Sequence, residues 1–158
     1  MDLHELRGPW SDDQVHGFLE AAVIPMRIAV QSPSGWPLVV SLWYLAEGAE
    51  LLAATRPDAT LVRCLERDPR CGFEVAGDLP PYRGVRGRAT ATLDRVRGGA
   101  ILEHLLHRYL GGVESPLARQ LLAKASDEVC IRLQPHSLVS WDFSRRMESS
   151  LPEPPSAA

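Results

Sequence analysis

The sequence lacks the features of a membrane-spanning, secreted or nucleic-acid-coating protein. No apolar run approaches the roughly 20 residues that a transmembrane helix needs. The opening residues, MDLHELRGPW, have no positive start followed by an apolar core, so we expect no secretory signal. The net charge of -3 is not the basic excess that proteins coating nucleic acid usually carry. We therefore expect a cytoplasmic protein that binds neither membranes nor nucleic acid.

Cysteine is also scarce. The 158 residues contain three, Cys64, Cys71 and Cys130, and none of them forms a CxxC pair. An odd count without metal-ligand spacing indicates reduced thiols in a cytoplasmic protein. We interpret all three as small buried hydrophobic side chains.

Local catalytic signatures are absent as well. There is no GxSxG, no Walker loop and no HExxH in the sequence. His104 and His107 are three residues apart on a predicted helix, with only Glu103 nearby as a third ligand. A solvated helix face explains this pair better than a metal site does. We therefore assign no metal ligand and no catalytic acid or base.

The patterns that are present predict alternating strands and helices. Residues 9–24 read as a helix with a capping box at Ser11 and Gln14. MRIAVQ, the run from Leu38 and LLAAT read as three strands of an antiparallel meander, because short turns separate them. A short helix, Ala59 to Arg67, follows, and Asp58 is a good candidate for its N-cap.

The second half of the chain continues this alternation. CGFEVAG and VRGRATATLD are two further strands, and the second alternates polar and small apolar residues as a two-faced strand does. Gly98 to Leu110 reads as an amphipathic helix, and Ser115-Pro116 begins another. EVCIRL and SLVSWDF read as two final strands around a turn at Gln134-Pro135.

Together these elements predict a mainly β protein with inserted helices (α+β). About seven strands joined by short connections form a mainly antiparallel sheet, which protects its edges best by closing into a barrel. We expect one domain over residues 1–145. The Pro/Ser-rich residues 146–158 have almost no apolar mass, so we expect them to form a disordered tail.

One corner of this chain could bind an anion. Thr55 and Arg56 end a predicted strand just before the short helix, and Thr60 lies in the first turn of that helix. Backbone N–H groups and the helix dipole favour an anion there, and an arginine adds a forked donor that suits phosphate. A surface salt bridge from Arg56 to Asp58 or Glu66 is the alternative interpretation.

The order of these parts resembles the pyridoxamine 5'-phosphate oxidase-like FMN-binding split-barrel family over about residues 20 to 145. A first strand is followed by a Gly-x-Pro turn at Gly35 and by a second strand with a bulky end. A third strand ends in Thr-Arg, and the short helix closes on Leu65 and Asp68-Pro69-Arg70. VRGRATAT resembles the family's fifth strand, and SLVSWDF resembles its final strand.

The resemblance implies an FMN-binding split barrel of six to seven antiparallel strands. It implies a homodimer, with FMN bound in two clefts at the interface and a small-molecule substrate. The second strand would run along the isoalloxazine ring, Thr55 and Arg56 would lie by the phosphate, and Tyr82 and Trp141 would close the site from the partner subunit. Trp43 and Trp141 are equally explained as core or interface aromatics. The expected cofactor-binding residues are Val40, Ser41, Leu42, Trp43, Thr55, Arg56, Thr60, Leu61, Tyr82 and Trp141.

One departure from the family concerns the phosphate. Members commonly carry a lysine and an asparagine where this sequence has Leu61 and Cys64. Arg63 is two residues from Leu61, so it points to another helix face and is a doubtful replacement. The resemblance favours an enzyme, an FMN-dependent oxidoreductase. The alternatives are a deazaflavin-dependent reductase, a haem-binding split barrel or a non-catalytic ligand-binding dimer.

Overall fold

The computed structural model describes residues 5–148 of the chain. No helix within those residues combines the length and the apolar character needed to cross a bilayer. The strands are β1 Glu5–Arg7, β2 Met26–Gln31, β3 Pro37–Leu42, β4 Leu45–Glu47, β5 Glu50–Thr55, β6 Arg70–Ala76, β7 Arg83–Asp94 and β8 Val129–Asp142. The helices are α1 Asp12–Ala21, α2 Thr60–Arg67, α3 Gly98–Leu110, α4 Pro116–Leu122 and α5 Ser144–Met147.

The strands form one curled sheet with helices packed around it. Its order is β3-β2-β6-β7-β8-β5-β4, and every neighbouring pair on this path is antiparallel. The short β1 adds to β8 in parallel. This architecture confirms the predicted class, a mainly antiparallel split barrel with inserted helices.

The alternation in β7 explains how one strand serves two surfaces. Val85, Ala89 and Ala91 are buried in the core, whereas Arg86 and Arg88 between them are exposed. Side chains along a strand point to opposite faces in turn, so a single strand supplies the core and the outer face of the sheet. The two-faced strand predicted from the sequence is confirmed.

The predicted three-strand meander is wrong. The long β-rich run breaks at Trp43 and Tyr44, so that β3 pairs with β2 while the β4–β5 hairpin lies at the other end of the sheet order. β5 pairs instead with β8. Tyr44 is fully buried, and its hydroxyl donates to the Leu19 carbonyl at 2.7 Å. This anchor fixes the bend that separates the two hairpins.

The two predicted final strands are one continuous strand, β8. The register against β7 pairs Arg88 with Ser137 and Ala89 with Pro135, so His136 has no partner across the ladder. One extra residue on one strand is a β-bulge, and a bulge accommodates a proline that cannot donate to the ladder. The predicted turn at Gln134-Pro135 is therefore this bulge.

Helix ends follow local capping in most places. The Ser11–Gln14 capping box is present, although α1 is shorter than the predicted 9–24. The bounds of α3 are those predicted, and Ser115 caps α4. Asp58 is not the N-cap of α2, because that position is Ala59, which makes no side-chain cap bond.

Two further predictions can be placed on the fold. Cys64, Cys71 and Cys130 are all free and buried, as predicted for small apolar side chains. α5 crosses the predicted domain boundary at residue 145. Residues 149–158 of the predicted tail lie outside the described residues.

Candidate functional site

A shallow groove of about 290 Å³ lies between the sheet and helices α3 and α4. We call it the Trp43 groove. It joins the end of β3 to the end of β5, two stretches that are far apart in the sheet order but meet because the sheet curls. Its lining residues are Ser41, Leu42, Trp43, Ala54, Thr55, Arg56, Leu102, Leu105, Leu121 and Glu128. Five of the ten predicted cofactor-binding residues are among them.

The groove has an apolar wall. Trp43 is half-buried and packs against apolar residues of α3, including Leu102 and Leu105. Leu42 and Leu121 extend this wall. A flat, mostly apolar wall is suited to an aromatic ring, because leaving water and stacking both favour binding of the ring.

The other end of the groove carries Arg56. Its guanidinium forms a bidentate pair with the Asp58 carboxylate at 2.9 and 2.7 Å, which is the alternative that the sequence left open. Both side chains are about two-thirds exposed. Hydrogen bonding to Arg56 lowers the pKa of Asp58. An exposed pair of this kind stabilises a protein little, so an incoming anion can displace the carboxylate at low cost.

Arg63 points to another face of α2 than the buried Leu61, as predicted, and its guanidinium still reaches the same corner. Its guanidinium reaches back along α2 and donates to the Asp58 carbonyl at 2.8 Å and to Thr60 Oγ1 at 2.9 Å. Helical side chains lean toward the N-terminus of their helix, so a long side chain can cover the turn before its own. The corner therefore carries two guanidinium groups and the Thr60 hydroxyl.

Glu128 introduces an opposing charge that the sequence analysis missed. It directly precedes Val129, which pairs with Thr55, so the β5–β8 register brings it beside Arg56. The residue is 9% exposed and lines the Trp43 groove. Burial raises the pKa of Glu128, and the charge of Arg56 partly offsets that rise. Predicting the β5–β8 pairing would have located it.

A second concavity continues from this corner. It has a volume of about 550 Å³ and shares Arg56 and Glu128 with the Trp43 groove. Charged residues of both signs line it, including Arg95, Lys124 and Asp127. Arg95 is paired with Glu66 at 2.7 Å. The polar end of the groove therefore opens into a charged cleft without a strong excess of either sign.

Five predicted residues lie outside the groove lining. The Leu61 side chain is 2% exposed and belongs to the hydrophobic core, so it is not available to a cofactor. Val40 packs against the same core from β3. Thr60 lies at the corner but accepts from Arg63. Tyr82 and Trp141 lie at another part of the sheet, and whether a partner subunit brings them to the site stays a prediction.

The surroundings of Tyr82 and Trp141 explain their placement. The Tyr82 carbonyl accepts from Phe143 N at 3.0 Å, which closes the far end of β7 against β8. Trp141 pairs across the ladder with Gly84, and the Arg86 guanidinium lies 5.5 Å from its ring centroid. Within a single chain Trp141 therefore packs under Arg86, whereas the Tyr82 side chain is exposed.

The described residues contain no group of three His, Cys, Asp or Glu side chains that could hold a metal ion. His104 and His107 are both exposed on α3. The chemistry available in the groove is therefore that of an apolar wall, two guanidinium groups, hydroxyls and one buried carboxyl group.

Comparison with known proteins identifies the fold. No protein-family model matches the sequence, and no curated protein matches it either. Among solved structures, the chain is similar to the conserved hypothetical protein Rv2991 of Mycobacterium tuberculosis. The TM-score is 0.70 at 22% identity, over 95% of this chain and 94% of that one.

Two other similar structures have names that mention a cofactor or a substrate. One is an F420 reductase, with a TM-score of 0.67 and 23% identity over 78% of this chain and 94% of that one. The other is a putative pyridoxamine 5'-phosphate oxidase of Listeria innocua, with a TM-score of 0.61 and 17% identity over 80% of this chain and 94% of that one. The suspected fold is confirmed at this level of similarity.

Proposed function

We propose that this chain, whose fold is the split barrel of the pyridoxamine 5'-phosphate oxidase-like proteins, is a flavin-dependent oxidoreductase that binds FMN in the Trp43 groove. The main support is that two segments distant in the sheet order lie side by side. The β3 end with Ser41 to Trp43 and the β5 end with Thr55 and Arg56 line one groove, although the sheet order separates them.

The apolar part of the groove supports the binding of the isoalloxazine ring. Leu42 and Trp43 from the sheet side and leucines from α3 and α4 would cover one face of the ring and exclude water from it. When bound, the flavin supplies the hydride or electron transfer, whereas the protein supplies position and electrostatics.

The corner supports the binding of the phosphate. Arg56 and Arg63 offer permanently charged donors, and Thr60 offers a hydroxyl, at the start of the eight-residue helix α2. Arg63 offers a cation where family members commonly use lysine, since Leu61 is buried. Glu128 opposes the phosphate charge when it is ionised, and burial raises its pKa, which disfavours the ionised form.

A second copy of the chain would complete this site. The groove of about 290 Å³ lies at the lower limit of ordinary ligand pockets, which supports the proposal that a partner subunit adds to it. On the outer face of the sheet, a concavity of about 590 Å³ has a floor that includes Ala29 and Gly72 and is flanked by Arg27, Glu74 and Arg88. Charges of both signs beside a smooth floor suit a self-complementary contact. We propose a homodimer through this face.

A substitution at Gly72 tests the proposed homodimer. A Cβ added there would meet only the Gly87 carbonyl oxygen, at 3.8 Å, which is an ordinary contact, and Gly72 lines the concavity into which a larger side chain would extend. We expect Gly72→Trp to shift the sedimenting mass from dimer to monomer while the circular dichroism spectrum is unchanged. A wild-type protein that sediments as a monomer would refute this part of the proposal.

The absorbance spectrum of the purified protein tests the cofactor. We expect flavin absorbance with about one FMN per subunit, or stoichiometric uptake of added FMN by a colourless preparation. We also expect FMN to bind at least tenfold more tightly than riboflavin, which lacks the phosphate. A colourless protein that takes up neither flavin would refute the proposal, and a haem band would redirect it.

A deazaflavin-dependent reductase is the second candidate. Two observations favour it: the position of the family's lysine holds the buried Leu61, and Glu128 adds a negative charge that weakens the site for a compact dianion. Competition between FMN and a deazaflavin for the same groove decides between them. Displacement of FMN by an equal concentration of deazaflavin would favour the second candidate.

A further inference from the structure

Behind the Trp43 groove, a cluster of side chains connects the end of β3 to helix α3. We call Tyr44, Arg108 and Tyr109 the Arg108 cluster. Trp43 and Tyr109 have parallel rings, with centroids 5.1 Å apart and an interplanar angle of 10°. Trp43 therefore has one side against a neighbouring ring and lines the groove as well.

The Tyr109 ring is itself fixed by hydrogen bonds. Its hydroxyl donates to the Ile24 carbonyl at 3.0 Å and accepts from Tyr44 N at 3.2 Å. The second of these bonds joins Tyr109 to the backbone directly after Trp43. The ring on which the indole stacks is thus tied to the chain segment that carries the indole.

Arg108 lies near the same ring and near that of Tyr44. Its guanidinium carbon lies 5.5 Å from the Tyr44 ring centroid and 5.8 Å from that of Tyr109. Its Nη2 donates to the Ala22 carbonyl at 2.8 Å and to the Leu19 carbonyl at 3.3 Å, at the end of α1. A cation held between rings and carbonyls restricts both tyrosines, because moving either ring would lose cation–π and hydrogen-bond contacts.

We infer that Tyr109 is a positioning residue for the groove: by stacking, it fixes the orientation of the Trp43 indole that forms the wall. The inference rests on the proposed function only for the identity of the ligand, because the orientation of Trp43 exists without one. A preset wall lowers the entropy lost when a planar ligand binds, since the indole does not have to be immobilised at that moment.

Tyr109→Met tests the inference. Methionine fills space flexibly but offers no flat ring for stacking. We expect the near-ultraviolet circular dichroism of Trp43, defined by the difference between wild type and Trp43→Phe, to be largely lost. We also expect riboflavin affinity to fall about fivefold. Tyr109→Phe keeps the ring but loses the two hydroxyl bonds, so we expect it to reduce both the signal and the affinity clearly less than Tyr109→Met does.

Phe18→Leu is the matched control. Trp10 and Phe18 form the other aromatic pair, with centroids 5.0 Å apart, and neither lines the Trp43 groove. This variant should alter the Trp10 signal and leave riboflavin affinity unchanged. If Phe18→Leu lowers that affinity as much as Tyr109→Met does, the effect is one of general stability and the inference is wrong.

The Trp43 signal separates this inference from the proposed function. If Tyr109→Met abolishes that signal but no variant binds riboflavin, the positioning role stands and the flavin proposal fails. An unchanged Trp43 signal in folded Tyr109→Met overturns the inference, whatever binds. If the methionine variant does not fold, proton contacts between the two rings in wild-type nuclear magnetic resonance spectra decide. Their presence supports the inference, and their absence overturns it.

Discussion

Arg56, which lines the Trp43 groove, and Arg108, which lies behind it, have opposite environments. Arg56 is about two-thirds exposed and pairs with a carboxylate. Arg108 is half-buried, bonds to backbone carbonyls and lies over two tyrosine rings, and its buried Nε has no hydrogen-bond partner. An exposed pair with a carboxylate is easily exchanged for a ligand, whereas a cation enclosed by the fold is not. Exposure and partner type therefore distinguish Arg56, which we propose to bind phosphate, from the structural Arg108.

Removing Arg108 should have the largest effect. Arg108→Met removes the charged donor from the Leu19 and Ala22 carbonyls, which still accept from the Tyr44 hydroxyl, and it removes two cation–π contacts. We expect a loss of about 2–3 kcal/mol in the free energy of unfolding, measured by urea denaturation. If the free energy of unfolding changes by less than about 0.5 kcal/mol, Arg108 is not a structural residue and does not differ from Arg56 in this respect.

Removing Arg56 should affect binding and not stability. We expect Arg56→Ala to unfold at nearly the wild-type urea concentration, because the Asp58 pair is exposed. FMN affinity should fall tenfold or more, since a charge-assisted bond to phosphate is lost, and riboflavin affinity should not change.

Arg132→Ala is the control for that variant. Arg132 pairs with Glu50 at 2.7 Å on the same two strands as the corner, at the start of β5 rather than its end. It should leave FMN affinity unchanged. If both variants weaken FMN equally, the corner has no special role.

Removing the competing carboxylate should have a smaller effect of the opposite sign. Asp58→Asn frees Arg56 from its ion pair, so FMN affinity should rise about threefold by fluorescence titration. Asp68→Asn is the matched control, because Asp68 forms the same kind of bidentate pair with Arg70 away from the groove. A rise in both variants would point to net charge and not to the corner.

The smallest effect concerns Glu128 and pH. Burial raises its pKa, and Arg56 and Asp127 are the charged groups that influence it. Above that pKa the carboxylate repels phosphate, so Glu128→Gln should bind FMN a few-fold more tightly than wild type at pH 8. The difference should shrink as the pH falls through that raised pKa, because the wild-type carboxyl group then gains its proton. Comparing the two proteins at each pH cancels the titration of FMN itself.

The same pKa shift sets the sign of a stability effect. A carboxyl group whose folded pKa exceeds its unfolded one favours the folded state below the unfolded pKa. That contribution is lost as pH rises through the folded pKa. Thermal unfolding should therefore find Glu128→Gln more stable than wild type at neutral pH and equal to it in acid. A wild type that is the more stable protein at neutral pH would contradict the assigned direction.

Local patterns predicted most elements of the fold because local physics decides them. The capping box at Ser11 and the bounds of α3 follow from side-chain chemistry and periodicity within a few residues. The break at Trp43 and Tyr44 did not follow, since the residues on both sides have β character. Only the distant Leu19 carbonyl and Tyr109 hydroxyl anchor the bend there.

About half of the residues that line the Trp43 groove could be predicted from the sequence. Ser41 to Trp43 and Thr55-Arg56 were identified by their resemblance to a known order of parts. Glu128 required the pairing of β5 with β8, which joins residues far apart in sequence. The helix face of Arg63 was predicted, but its reach to the corner was not, because a helical wheel locates a Cβ atom whereas the guanidinium lies about a turn nearer the N-terminus.

A crystal structure of the protein with FMN tests the central claim most directly. We predict that the isoalloxazine ring lies against Trp43 and that the phosphate bonds to the Arg56 guanidinium, from which the Asp58 carboxylate is displaced. An FMN phosphate bound elsewhere, with the Arg56–Asp58 pair intact, would contradict it.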